Sequence, residues 1–263
     1  MTTVAPPYPY LNTNTELINA HKLEKHFEGG YFAQTVLLES SLPSASVSAS
    51  ASASKTESAH VPKSAALGGR EQVASGPGAE LLQGASSDSV SGSGSASDAT
   101  SSDKKTDATQ IYYLLTPDSY RGRMHMNLHS TFHIHHAGRA LYTLIRPPSP
   151  SSGESTPSIH RVIVGPNVTQ GEVTQLFVPG GWWKASEIPE EDLLLLDAPD
   201  AEKAGLKERI GCLISEVVVP GWNPDQHQFI DEDKLKAMWG GNPGWEQYKK
   251  YITAPEGLEY PDK

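Results

Sequence analysis

From Leu42 to Thr109 the chain contains no Phe, Trp or Tyr, although it holds five Trp, ten Tyr and five Phe elsewhere. Ser, Ala and Gly dominate this stretch, as in the alternation from Ser44 to Ser54. A segment with so little apolar bulk cannot offset the entropy of ordering it. We read it as a disordered insertion within one domain spanning 1–263. The alternative, a linker between two domains, leaves only 41 residues ahead of it, too few for an independent core. Those residues also contain a strand-like stretch, Tyr31 to Glu39, that needs partners.

The 31 Asp and Glu outnumber the 21 Lys and Arg, and the formal net charge is −10 at pH 7. That balance argues against a surface that coats nucleic acid or anionic membrane, which needs a basic excess. The single cysteine, Cys212, rules out an internal disulfide framework and suits a reducing compartment. No run approaches the roughly 20 apolar residues that span a bilayer. Met1 to Tyr10 lacks a basic segment followed by an apolar core. The expectation is a soluble, cytoplasmic protein whose partner is a small molecule, with neither nucleic acid nor membrane involved.

Outside the insertion, Glu16 to Glu24 has Leu17, Ile18 and Leu23 at helical spacing, with Thr15 as N-cap. Gly29-Gly30 breaks it, and Tyr31 to Glu39 reads as a strand. Short strands then follow at Gln110 to Leu115, Arg123 to Leu128, Thr131 to His136, Ala140 to Ile145, His160 to Val164, Val173 to Val178, Trp182 to Ser186 and Cys212 to Val219. Turns rich in Gly, Pro, Asn and Asp separate them, the pattern of an antiparallel sandwich or barrel. The tail carries a helix from Glu232 to Met238 and an amphipathic piece from Trp245 to Tyr251. Ile188 to Arg209 reads as a long surface loop, with a lid as the alternative.

His26-Phe27-Glu28-Gly29-Gly30-Tyr31-Phe32 resembles the His-Pro-Glu-Gly-Gly-Tyr-Phe signature of a little-characterised cupin subfamily. Ile111 to Leu115 resembles its next strand, and His125 with Ala137-Gly138 the two ends of its first barrel motif. Val178-Pro179-Gly180-Gly181-Trp182-Trp183-Lys184-Ala185 and Val219-Pro220-Gly221-Trp222 resemble two later segments. The resemblance implies an all-β double-stranded β-helix, a jelly-roll barrel with short flanking helices. It also implies a homodimer with a small-molecule pocket inside each barrel. The strand count reached independently agrees.

Metal-binding cupins place ligands at positions that the resemblance puts on His125, Asn127, Thr131 and Lys184. Asn and Thr are poor ligands for a transition metal, and a Lys ammonium repels one. The expectation is therefore a barrel with no metal and no other cofactor. If Thr131 points inward, strand alternation turns His133 and His135 inward too, with Phe132, Ile134 and His136 outward. In the subfamily the positions of His133 and His135 tend to be bulky and apolar. Imidazoles titrate near neutrality and suit proton transfer, so His125, His133 and His135 are the candidate acid/base groups. A non-standard metal site built from the same three is the alternative.

Lys184 faces the same cavity in that register. There it would bind an anion, stabilise an enolate or form a Schiff base; the plainer role is snorkelling to the barrel mouth. Glu28 is read as a pocket carboxylate, paired with His26. Tyr31, Asn127, Thr131 and Trp182 complete the candidate substrate contacts. Tyr113, Trp183 and Trp222 read as barrel core, and Cys212 as a buried strand residue. The chain has no phosphate-binding loop, nucleophile elbow or Cys-x-x-Cys pair.

Three functions remain open: metal-independent acid/base rearrangement of a small oxygenated substrate, non-catalytic binding or storage, and a metal oxygenase with a rearranged histidine cluster. The first is preferred, because a mere binder has no need for several groups titrating near neutrality.

Overall fold

A computed structural model describes residues 7–39, 106–149, 151 and 153–262; most of the Ser/Ala-rich stretch read as disordered lies outside them. In chain order the strands are β1 (Glu24–Lys25), β2 (Tyr31–Glu39), β3 (Thr106–Leu115), β4 (His125–Asn127), β5 (Ser130–Gly138), β6 (Ala140–Arg146), β7 (Ser158–Val164), β8 (Gln175–Val178), β9 (Trp183–Glu187), β10 (Cys212–Val219) and β11 (His227–Phe229). They form two antiparallel sheets, one ordered β1-β2-β3-β10-β5-β8 and the other β11-β4-β9-β6-β7. Each sheet mixes strands from distant parts of the chain, as a jelly roll requires.

The insertion boundary needs correction. Thr106 to Thr109 belong to β3 and pair with β2, with Glu39 and Thr106 as cross-strand partners. Thr109 is buried, and its Oγ1 accepts from the Trp222 N–H at 2.9 Å. Those four residues lack aromatic bulk, yet the neighbouring strands satisfy their backbone. This yields a prediction. Replacing residues 40–105 by a short Gly linker should preserve a cooperative thermal transition, because the ends to be joined are already neighbours. Extending the deletion through Thr109 removes several ladder bonds at about 1 kcal/mol each. The midpoint should then fall by about 4–8 °C; equal midpoints for the two deletions would refute this account of the boundary.

The main core lies between the sheets and includes Leu115, Tyr142, Leu144, Leu176 and Ile214. The helix α1 (Asn14–His21) starts earlier than expected. Its cap is Thr13, not Thr15, because Thr13 and Glu16 form a reciprocal capping box. Leu17, Tyr8 and Tyr10 pack with Leu114 and Leu213 in a second cluster. The helix α3 (Glu232–Met238) and the 3₁₀ turn Glu246–Tyr251 bury Leu235, Trp239 and Tyr251 against Met124, Ile145 and Trp183. Among the described residues, no helix is long and apolar enough to cross a membrane.

Ile188 to Arg209, expected as a long surface loop, is pinned to the barrel. Ile188, Ala201, Leu206 and Ile210 are buried in the main core. Arg139 clamps the short helix α2 (Glu190–Leu193) through the buried Asp192. The acidic run reads as loop in one dimension, while its apolar residues find their partners only when the barrel closes.

Candidate functional site

The His26–Gly30 segment is a tight turn between β1 and β2. The His26 N–H donates to the Gly30 carbonyl, and the Gly29 N–H to that of His26, both at 3.0 Å. Gly29 has φ +100°, and a Cβ there would lie 2.6 Å from the Tyr260 ring, so both conformation and space call for glycine. The Arg123 N–H donates to the Glu28 carbonyl at 2.7 Å. These bonds hold the Glu28 side chain toward the barrel interior.

Three imidazoles surround that carboxylate. His227 Nε2 lies 2.7 Å from Oε1, His125 Nε2 3.4 Å from Oε2 and His26 Nδ1 3.6 Å from Oε2. His125 Nδ1 donates to the Arg123 carbonyl at 2.9 Å, which leaves its Nε2 aimed at Glu28. Burial works to raise the Glu28 carboxyl, but His125, His26 and His227 outweigh it and hold it far below the usual range. Burial pushes His125 down to about 4 despite the nearby Glu28 charge, and lowers His26 as well. Glu28, His125 and His227 present one ligand atom each, all within 4.8 Å of one another.

A second cluster joins the two sheets. Lys184 on β9 pairs with Glu216 on β10, and its Nζ lies 3.2 Å from His133 Nε2 on β5. His133 Nε2 in turn lies 3.0 Å from Glu216 Oε2. His133 is 1% and Lys184 3% exposed, so neither snorkels to solvent. Burial works to raise the Glu216 carboxyl, yet Lys184 and His133 hold it well below its usual range. Burial, reinforced by the Lys184 charge, lowers His133 and keeps its ring neutral near pH 7. Glu28 and His125 of the first cluster and all of the second line one small cavity of about 10 Å³, with Tyr113, Tyr142 and Ser186 completing the wall. That volume admits about one water.

Of the residues singled out from sequence, Glu28, His125, His133 and Lys184 meet at this cavity. His26 abuts it through Glu28, its ring packed on Phe27 and Phe32 with centroids 4.3 Å away. Asn127 and Thr131 are buried, and Asn127 Oδ1 and Thr131 Oγ1 have no hydrogen-bond partner among the described residues. The others are corrections. His135 does not reach the cavity: it is half-buried toward the end of β5, where its Nε2 donates to the Gly138 carbonyl at 2.7 Å. There the ladder between β5 and β10 is interrupted by a bulge at Leu213/Ile214. Tyr31 packs with the α1 cluster, outside the cavity lining. Trp182 precedes β9 and stacks on His160, centroids 5.3 Å apart.

Sequence reading missed Glu216 and His227. Glu216 carried a signal: it interrupts the apolar run Cys212–Val219 at the parity of the buried Ile214 and Val218. His227 sits in Pro224-Asp225-Gln226-His227, where no periodicity marks it.

Two antiparallel sheets closed as a jelly roll around inward polar groups define a barrel of the cupin class. The family model described as Cupin_5, cupin superfamily (DUF985), matches residues 15–230, and the chain belongs to that family. Uncharacterized protein YML079W of Saccharomyces cerevisiae is 37% identical over 137 residues, 52% of this chain. The chain thus covers 57% of that relative's length. Two solved structures share the fold over 95% of this chain and 100% of theirs. One is a hypothetical protein from Leishmania major, 19% identical with a TM-score of 0.51. The other is protein SO0799 of Shewanella oneidensis, 14% identical with a TM-score of 0.52.

The usual cupin metal does not fit its usual place. Of the four positions carrying its ligands, Asn127 and Thr131 offer only neutral oxygens, and Lys184 sets an ammonium across the strand pair from His125.

Proposed function

We propose that the protein is an enzyme that moves protons on a small oxygenated substrate held in the barrel, an isomerase, epimerase or related activity. The observation that carries this reading is the buried Lys184–His133–Glu216 cluster, with His133 Nε2 3.2 Å from Nζ and 3.0 Å from Oε2. A barrel interior is filled more cheaply by apolar side chains than by buried ions. Groups perturbed by burial and by specific charged partners, beside a cavity, are the mark of acid/base sites. In this scheme neutral His133 takes a proton from the carbon next to a substrate carbonyl. Lys184 stabilises the resulting enolate oxygen, and the proton returns at the same or the adjacent carbon. Glu216 holds both partners in place. A storage role gives no reason for this cluster.

Deuterium wash-in tests the scheme. The protein is incubated in D₂O with a panel of small hydroxy-carbonyl compounds, and exchange is read by NMR. His133→Phe leaves the Lys184–Glu216 pair intact and should stay folded, while exchange should fall about 10²- to 10⁴-fold. Absence of exchange with every compound, or equal exchange by the variant, would sink the proposal.

A further inference from the structure

We propose that Glu28, His125 and His227 bind one divalent transition-metal ion, Zn²⁺ or a similar borderline ion, at a site that retains His125 of the usual cupin positions and draws its other two ligands from elsewhere. This departs from the metal-free barrel expected from sequence and adds a cation to the pocket of the enzyme proposed above. All three residues are buried, at 9%, 7% and 4% exposure. His227 Nε2 and His125 Nε2 stand 2.7 and 3.4 Å from the two carboxylate oxygens of Glu28. Ligand atoms about 2.0–2.1 Å from a tetrahedral zinc are themselves roughly 3.3 Å apart, and the three here lie within 4.8 Å of one another, so the side chains close on a shared ion by small rotations.

The hydrogen bonding points the same way. Nδ1–H is given to the Arg123 carbonyl at 2.9 Å, which leaves Nε2 of His125 directed at the Glu28 carboxylate. That nitrogen is buried and has no hydrogen-bond partner among the described residues. A cation between that nitrogen and Glu28 Oε2, 3.4 Å away, would satisfy both. A ring nitrogen tied to a backbone carbonyl is also the support that metal-bound histidines use. Asn127 is the cross-strand partner of His227, and its Oδ1 is likewise buried without a partner. An unsatisfied polar atom is costly, and this one belongs to the residue directly across the strand pair from a proposed ligand. Two imidazoles and one carboxylate suit zinc, iron, cobalt or nickel rather than calcium or magnesium, which prefer all-oxygen shells.

The test uses the full chain, stripped with chelator and titrated with Zn²⁺ by calorimetry. One equivalent should bind, and the thermal midpoint should rise with Zn²⁺ concentration. Glu28→Gln and His227→Asn should each weaken binding at least about 100-fold, while His160→Asn, on the edge strand β7, should not. X-ray absorption on the zinc-loaded wild type keeps the proposal testable if a variant fails to fold. It should show two imidazoles with Zn–N near about 2.0–2.1 Å. No stoichiometric binding, a different imidazole count, or unchanged affinity in the folded variants would overturn it. None of these readouts involves deuterium exchange, so failure here is distinguishable from failure of the proton-transfer reading.

Discussion

Lys184→Met is expected to destabilise the protein by about 3–5 kcal/mol, because it strips the cation from a buried carboxylate. Lys184 is 3% exposed, and the Glu216 side chain that it neutralises is 12% exposed. Urea unfolding with an unchanged m-value measures the loss. Lys184→Met/Glu216→Leu removes both charges and should recover most of it. The pH dependence carries a sign that tests the cause. In the wild type, Lys184 and His133 overcome the burial penalty and hold Glu216 below its unfolded value. Its contribution is therefore complete above the unfolded Glu pKa of about 4.3 and is lost as pH falls through the lower folded value. In Lys184→Met burial dominates, Glu216 is raised, and stability drops as pH climbs through the raised value. The gap between wild type and variant should thus narrow below about pH 4. A loss under about 1 kcal/mol, the range of a surface ion pair, would show that the pair is not buried as described.

Arg139→Met should cost a comparable amount, about 3–5 kcal/mol. Arg139 Nε lies 2.9 Å from Asp192 Oδ2 and Nη2 2.5 Å from Oδ1, while Nη1 lies 3.1 Å from Glu172 Oε1. Asp192 is 0% exposed, and burial pushes its carboxyl up even with Arg139 present. Without the guanidinium that carboxyl has no cation. Glu172 fares better, because the Asn167 N–H still donates to it at 2.7 Å. The exposed Glu191 contributes little. Denaturant unfolding and limited proteolysis between Asp197 and Leu206 would report the change, and adding Asp192→Asn should restore much of the stability. Unchanged proteolysis together with unchanged stability would show that the segment is held by its apolar contacts alone.

Strand and helix positions were legible where a local pattern decides them. Cys212–Val219 and Glu232–Met238 stand where their periodicity puts them. The turn signature places Glu28, and alternation along β5 places Thr131 and His133 inside. His135 was misplaced because alternation does not mark where a strand leaves the cavity or where a bulge interrupts its ladder, and that depends on the partner strand β10. Ile188 to Arg209 was misread for a related reason: its burial depends on a core that the segment itself does not contain.

The sequence by itself determined the class of fold, its longer jelly-roll strands and all but one member of each polar cluster. Glu28, His26 and His125 were visible in one cluster, His133 and Lys184 in the other. Only the tertiary structure added His227 and Glu216. Glu28 and His227 are 199 positions apart, and Lys184 and Glu216 are 32 apart on different sheets. Backbone pairing and side-chain alternation are local and leave a period in the sequence. A contact between charged side chains across a barrel leaves none, because it exists only once the two sheets have closed on each other.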